Sequence, residues 1–338
     1  MKAGAEGLDG LVEETADIRE PGAGEVQVAV ACVSLNRRDL LLLSGAYGAV
    51  DQDFVAVSDG AGRIEAVGPE VTGWSVGDRV MVSYYDAWED GPPRPGLGWG
   101  GGSPGRDGML AEHVVVAADR LVALPDSVDL DVAATLPCAG LTAWSALNGD
   151  RPYTVRRVSS GDRVAVLGTG GVSLWALVLA QAVGAEVIAT TGRDERRDAL
   201  AQLGAVEIIN YNDDDAWGQT IADHTGGGVD RVVNAVGSAV IDQALAAIAF
   251  GGEVALMGLF DFAAGPPDYV QLMTKGATIR GTAVGSRRAL EDLVTVVAQH
   301  GLRVPISRTF AFADSPTAYR ALEDGSGLGK VVIAVGAE

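Results

Sequence analysis

The sequence predicts an α/β protein of two domains, a small strand-rich barrel and a parallel, doubly wound sheet. Three observations carry this. Its 338 residues allow two domains of ~150 residues, each long enough to bury a core. The first third alternates apolar and polar residues in short runs separated by Gly, Pro and Asp. After Pro125 the pattern becomes strands alternating with helices, the order that builds a parallel sheet.

Taken in order, Val26, Val28 and Val30 alternate within a strand from Glu25 to Val33. Ile64 to Val67, Arg79 to Val82 and His113 to Val116 add short strands, with Pro69, Gly73, Gly77 and Asp78 marking tight connections of barrel type. Between Tyr84 and Gly108 lies a Gly- and Pro-rich loop holding Trp88 and Trp99. It is too long for mere punctuation: its aromatics either cover a cleft or pin the loop to the surface. Then follow a helix over Leu130 to Leu147, a strand over Arg163 to Leu167, a helix over Val172 to Val183 and a strand over Glu186 to Thr190. The pattern continues with a helix over Asp194 to Leu203, strands over Glu207 to Asn210 and Asp230 to Ala235, and a helix over Ile241 to Ala247. Strands over Gly252 to Gly258 and Thr278 to Val284 close the sheet, and Ala289 to Glu338 returns to helix and short strands such as Val331 to Ala334. The domains are expected at residues 1–125 with 285–338, and at 126–284.

The stretch Val164 to Ser173 is the most informative. An apolar strand runs into Gly168, Thr169, Gly170, Gly171 and Val172, and then into an apolar helix. A glycine ending the strand permits a sharp turn, a second lets backbone approach a pyrophosphate, and the helix N-terminus meets its charge. Ser173 stands where a third glycine is usual, so a small hydroxyl side chain must fit between helix and strand.

With 25 basic and 45 acidic residues, net charge −20, the chain repels nucleic acid and anionic membranes, so an anionic ligand needs a local pocket of N–H groups and arginines. No apolar run reaches the ~20 residues of a membrane span, and the N-terminus lacks a signal-peptide pattern, which makes the cytosol the expected location. Cys32 and Cys138, both in apolar stretches, read as two reduced core thiols.

Beyond this reading, the chain resembles the medium-chain dehydrogenase/reductase superfamily, in its zinc-free, quinone oxidoreductase-like branch. The landmarks are Val33 to Asp39, Asp59 to Gly62, Val76 to Val80, Leu136 to Ala143, the glycine turn, Ile209 to Tyr211 and Gly329 to Val332. The resemblance spans almost the whole sequence. It implies a GroES-like β-barrel catalytic domain interrupted by a Rossmann domain, with substrate and nicotinamide meeting in the cleft between, and a homodimer formed through the edge strand at Thr278 to Val284. In zinc-dependent relatives the metal is held by Cys, His and Cys. The matching positions here are Asn36, Ser58 and Cys138, and no cysteine cluster exists for a structural zinc, so no metal is expected. Cys138 reads as a core residue, with substrate contact as the alternative. His113, His224 and His300 read as a strand, a loop and a helix-end residue. Ala56 and Val57 stand where a Pro-Gly pair is common in relatives, next to an acid, Asp59, expected near the former metal site.

At the tip of the second strand of the doubly wound sheet an acid would bind an NAD ribose, but this chain has Thr190, Thr191, Gly192 and Arg193. The resemblance places Gly192, Arg196 and Tyr211 at 2′-phosphate positions, so NADPH is the expected cofactor. Solvated arginines neutralised by Asp194 and Glu195 are the alternative. Thr142 matches a threonine that approaches the nicotinamide, Val236 and Gly258 lie at the carboxyl edge of the sheet, and Lys330 matches a cofactor-side lysine, a solvated lysine being the alternative. Tyr47, in Ser44 to Tyr47, resembles the tyrosine that faces substrate in zinc-free quinone and enoyl reductases, with Asn36 as a second donor; a surface tyrosine is the alternative. The implied activity is NADPH-dependent reduction of the activated C=C bond of a quinone, enone or other small α,β-unsaturated carbonyl. A metal-free carbonyl reductase or alcohol dehydrogenase, or an NADPH-binding protein with little turnover, are the rivals.

Overall fold

Contacts divide the chain into two units, Met1–Leu141 with Val284–Glu338, and Thr142–Ala283. The segment 126–141, expected in the second domain, packs with the first. The computed structural model describes residues 1–4, 7–48, 50–152, 155–258 and 265–336.

In the second unit six strands pair in parallel in the order Ala205–Asn210, Glu186–Thr191, Arg163–Val166, Val229–Asn234, Ile248–Leu256, Thr278–Gly281. Numbered along the chain this is 3-2-1-4-5-6, the doubly wound order whose ligands collect beyond the carboxyl ends of the strands. Val164, Ala165, Val187, Val232 and Val254 are fully buried, as helices on both faces require. The helix Gly171–Ala182 buries every residue from Ser173 to Ala180, which explains why it is apolar all round. Ser173 Oγ donates to Leu167 O at 2.7 Å, so the residue at the third glycine position ties helix to strand. The expected helix over Asp194 to Leu203 opens instead with a tight turn, Asp194–Arg196, and continues as Arg197–Gln202. Two short helices, Trp217–His224 and Tyr269–Thr274, were not expected; His224 therefore ends a helix and does not sit in a loop.

Among the described residues the first unit holds a seven-stranded and a three-stranded sheet. The long strand Glu25–Leu35 pairs with Asp59–Val67, His113–Ala117 and Lys330–Ala334, and Val26, Val28, Val30 and Val33 point into one core with Ile64, Val80, Leu110 and Ile333. Gly62 permits this: a Cβ there would lie 2.0 Å from Ala29 O. Lys2–Gly4 and Gly7–Val12, too polar and glycine-rich to read as strands, form the smaller sheet with Phe54–Val55.

One expected helix is broken. Leu130 to Leu147 forms Leu130–Ala134, a wide π-type turn over Leu136–Gly140, and Leu141–Asn148. Pro137 has no N–H to give, and Cys138 N–H donates to Asp59 Oδ2 at 3.0 Å in place of a helical carbonyl. Near it, Val57 adopts φ 66°, a strained conformation for a β-branched residue. The left-handed turn is kept without glycine because Met109 N–H donates to Val57 O at 2.7 Å and Leu110 N–H to Ala56 O at 3.0 Å. Among the described residues no helix is long and apolar enough to cross a membrane.

Ser173→Ala is expected to leave the Leu167 carbonyl without this donor and to lower stability by ~1–2 kcal/mol, read as a shift in the denaturant midpoint at unchanged slope.

Candidate active site

The strand Arg163–Val166 ends at Leu167, and Gly168 turns the chain at φ 81° while its N–H donates to Thr190 Oγ1 at 3.0 Å. Gly170 is exposed, and a Cβ added there would meet nothing within 4 Å, so space is open over the helix N-terminus that Gly171 and Val172 begin. Backbone N–H groups and helix dipole make this an anion cradle. Thr169 is buried, and its hydroxyl accepts from Arg196 Nη1.

The neighbouring strand ends without an acid. Thr191 Oγ1 accepts from Arg193 N–H at 3.1 Å, shaping the turn, and Tyr211 lies over Gly192: a Cβ on Gly192 would come within 2.6 Å of Tyr211 Oη. A side chain at this position would displace that ring. Asp194 Oδ1 accepts from Arg197 at 2.7 Å and Asn210 at 3.1 Å, which hold its carboxyl below the usual range. Partial burial, then the charge of Arg193, push the Arg196 guanidinium down. Glu195 is the opposing charge, 3.9 Å from Arg193 Nη1, so that Arg193, Arg196 and Arg197 stand beside Asp194 and Glu195 in a chain of net charge −20. Further along the carboxyl edge, Asn234 Oδ1 accepts from Val236 N–H at 3.1 Å and Gly237 N–H at 2.9 Å, and a Cβ on Gly258 would lie 2.2 Å from the Val236 carbonyl carbon. Thr142 is buried at the start of Leu141–Asn148.

In the first unit Asn36, Ser58, Asp59, Cys138 and Lys330 form one buried polar network. Lys330 Nζ donates to Leu35 O at 2.6 Å and to Asn36 Oδ1. Asn36 Nδ2 donates to Asp59 Oδ2 at 2.9 Å and to Ser34 O, and Ser58 Oγ donates to Asp59 Oδ1 at 2.7 Å. Two expectations change. Asn36 has its amide committed on both sides and is not offered as a donor to substrate. Lys330 is neither solvated nor pointed outward: the residue is 3 % exposed and its ammonium is turned inward onto Leu35 O and Asn36 Oδ1. Cys138, expected as a core thiol, is buried and reduced but sits at the edge of this polar network, and burial raises its thiol well above the usual range.

Tyr47 follows the helix Arg37–Leu43 and stacks on Trp99, centroids 4.2 Å apart and planes 3° from parallel. Burial raises its phenol, so it is a neutral donor at physiological pH. Trp99 is placed by its backbone, whose carbonyl accepts from Arg38 Nη2 at 2.7 Å and Tyr84 Oη at 2.8 Å. Trp88 is buried with Nε1 donating to Gly91 O at 2.8 Å, so one loop tryptophan pins the loop and the other stands half exposed over Tyr47. Arg38 was missed in sequence because its partners lie far along the chain. Its flanking charge, Asp39, was the visible sign: a buried Arg-Asp pair at the start of an apolar helix.

Metal ligation was tested on this donor set. Among the described residues no three His, Cys, Asp or Glu side chains converge, whereas a catalytic zinc takes three protein ligands. Asn36, Ser58 and Asp59 are bonded to one another, with the Lys330 cation joined to them. His113 pairs with Glu65 across strands at 2.7 Å and His300 ends the helix Arg287–His300, both apart from the network.

A 3-2-1-4-5-6 sheet with an anion cradle, joined to a strand-rich unit with a buried polar network, defines a nicotinamide-dependent oxidoreductase architecture. Residues 22–126 match the model of the alcohol dehydrogenase GroES-like domain, and residues 171–299 that of the zinc-binding dehydrogenases. A zinc-type alcohol dehydrogenase-like protein of Schizosaccharomyces pombe is 33% identical over 336 residues, 97% of this chain and 96% of that protein. The crystal structure of a putative alcohol dehydrogenase from Sinorhizobium meliloti is 39% identical with TM-score 0.86, covering 94% of this chain and 92% of that one. An NAD-dependent alcohol dehydrogenase is similar at 28% identity and TM-score 0.87 over 99% and 100% of the two chains. A mycobacterial protein complexed with NADPH is similar at 26% and 0.80 over 98% of each. The chain belongs to the medium-chain dehydrogenase/reductase superfamily and is an oxidoreductase of the alcohol dehydrogenase-like family.

Burial raises the Asp59 carboxyl from 3.8 to about 6, against the opposing pull of Lys330, Ser58 and Asn36. An acid whose folded pKa exceeds its unfolded one contributes stability below pH 3.8 that is lost as pH rises through 6. Asp59→Asn is expected to flatten this window: melting temperatures measured from pH 4 to 7 should decline for the native protein relative to the variant. Parallel curves would assign the shift elsewhere.

Proposed function

We propose that the chain is a cytosolic, NADPH-dependent, zinc-independent reductase of an activated C=C bond in a small quinone, enone or other α,β-unsaturated carbonyl. The observation that carries the cofactor is the strand tip, where the strand ends in Thr191 without an acid, Tyr211 lies over Gly192, and Arg193 and Arg196 stand together with Glu195 as the counter-charge that a 2′-phosphate would replace. Gly168 to Val172 would receive the pyrophosphate, while Thr142, Val236 and Gly258 would border the nicotinamide. When bound, NADPH supplies a hydride equivalent to the substrate β-carbon.

The residues of the first unit support conjugated acceptors. Lys330 and Asp59 are spent on holding Asn36, so carbonyl polarisation falls to neutral hydroxyl donors, weaker electrophiles than a metal ion. A conjugated carbonyl needs less help, since the electron pair of its C=C bond moves onto the carbonyl as an enolate. Tyr47 would donate a hydrogen bond to that oxygen, and Tyr47 or water would protonate the α-carbon, giving the saturated carbonyl and NADP⁺. Oxidation of an alcohol would instead require loss of a hydroxyl proton without a metal to acidify it.

The replacement of both Arg193 and Arg196 by Ala is expected to weaken NADPH binding by about 10- to 100-fold and to leave NADH binding within about threefold, measured by quenching titration. Equal loss for both would place the 2′-phosphate elsewhere. In the native protein, deuterium from labelled NADPH is expected β to a retained carbonyl; label on a carbinol carbon would support a metal-free carbonyl reductase. Tight NADPH binding without turnover on any enone, quinone or aldehyde would support a binding role.

We propose further that the protein is a homodimer. Among the described residues the edge strand Thr278–Gly281 pairs on one side only, and Tyr269, Val270 and Met273 just before it are 58, 66 and 71% exposed. Sedimentation equilibrium is expected to give twice the 34.7 kDa chain mass, and charged substitutions at Val270 and Met273 to shift it to the monomer. A native monomer would remove this proposal.

A further inference from the structure

We infer that Tyr85 is a second hydroxyl donor to the substrate oxygen, beside Tyr47. The inference rests on the reductase reading above and supplies what Asn36 cannot. Tyr84 and Tyr85 leave the strand Arg79–Val82 together but have opposite fates. Tyr84 is buried, its hydroxyl donates to Trp99 O at 2.8 Å, and its ring carries the Arg38 guanidinium at 5.3 Å. Tyr85 is half buried, with its ring edge-on to Tyr84 at 4.6 Å and 78° and tilted on Trp88 at 5.6 Å and 51°. Both supports are themselves anchored, so the Tyr85 ring is immobilised on two sides. Among the described residues its hydroxyl, like that of Tyr47, makes no hydrogen bond within the protein. A ring so held, with its polar end left over, is placed for a ligand and not for packing.

The two phenols belong to one rigid assembly. Tyr47 stacks on the Trp99 indole, and the Trp99 carbonyl is gripped by Tyr84, on which Tyr85 packs. They share electrostatic surroundings too. Burial, then the Cys138 thiol, push the Tyr85 phenol up to about 12 against the opposing pull of Arg38, so that it remains a protonated donor across the working range of pH. Two neutral donors on one oxygen would resemble an oxyanion hole built from phenols, and the aromatic rings around them would favour flat, conjugated substrates.

The test uses the full chain with an enone that the native protein reduces. Because the hydroxyl has no internal partner, Tyr85→Phe is expected to melt within about 2 °C of the native protein. Its kcat is expected to fall about 10- to 100-fold with KM within about threefold, as Tyr47→Phe should, with the double variant below either. Native kcat in Tyr85→Phe, or a loss confined to KM and melting temperature, would overturn the inference. A binding arm separates it from the reductase reading: 4-nitrophenolate, an oxyanion probe that needs no turnover, is expected to bind Tyr85→Phe at least about fivefold more weakly than the native protein. Equal binding overturns the role of Tyr85 whatever the enzyme reduces. Absence of any enone or quinone turnover in the native protein, with the binding difference intact, places the fault with the reductase reading alone.

Discussion

The buried bond between Lys330 and Asn36 is the constraint on which the strand-rich unit depends. An ammonium withdrawn from water loses several kcal/mol of hydration unless its hydrogens are taken up and a counter-charge lies near. Leu35 O and Asn36 Oδ1 take up two, and Asp59, reached through the Asn36 amide, supplies the charge. Because these partners come from a C-terminal strand, the exit of the long central strand and the strand beginning at Asp59, satisfying one cation fixes three segments at once. The same carboxylate takes the Cys138 N–H and so holds the π-type turn open. The helix Arg37–Leu43 begins at Asn36, so the positions of Arg38 and, one turn beyond the helix, Tyr47 follow from this knot.

Such a network also decides what chemistry is left. Lys330, Asn36, Ser58 and Asp59 each have a partner within the protein, and the Asp59 carboxyl, although burial raises it, has its oxygens taken up by an amide, a hydroxyl and a backbone N–H. The groups that retain unspent hydrogen-bonding capacity are phenols at its margin. At these positions the chain places an internal cation held by an amide; under the reductase proposed above, polarisation would be left to neutral donors, and conjugated carbonyls would be the substrates that need least help.

Sequence and structure agree best where pattern is local. The doubly wound sheet was legible because strand, glycine and helix succeed one another within a few residues, and Ser173 announced its own packing role. The break at Leu136–Gly140 was half legible: Pro137 was in view, but apolar periodicity ran through it, and the Asp59 carboxylate that replaces the helical bond is 79 residues away. The commitment of Asn36 was invisible for the same reason, its lysine lying 294 residues along the chain. Tyr85 left a fainter trace, a Tyr-Tyr pair at a strand exit, which composition alone reads as one more aromatic in a loop. The short helices at Trp217–His224 and Tyr269–Thr274 are below the length at which a 3.6-residue period can be told from chance.

The loop from Tyr84 to Gly108 shows how composition misleads about rigidity. Its glycines read as freedom, yet a Cβ on Gly100 would lie 2.4 Å from the Tyr84 ring, one on Gly102 would lie 2.7 Å from Val57, and one on Gly108 would lie 2.1 Å from Val57 O. These glycines are there for close approach. Arg38 and Arg106 then take up the carbonyls that the irregular backbone leaves over, at Trp99, Gly101, Leu97 and Gly96. Val57 is held at a positive φ by the same packing, so local strain is offset by contacts that also fix Trp99. Neutral donors stabilise a developing oxyanion well only when they need not reorganise as charge appears. In the reductase proposed above, a glycine-rich loop packed without slack against arginines and aromatic rings would meet that requirement, which a flexible loop of the same composition would not.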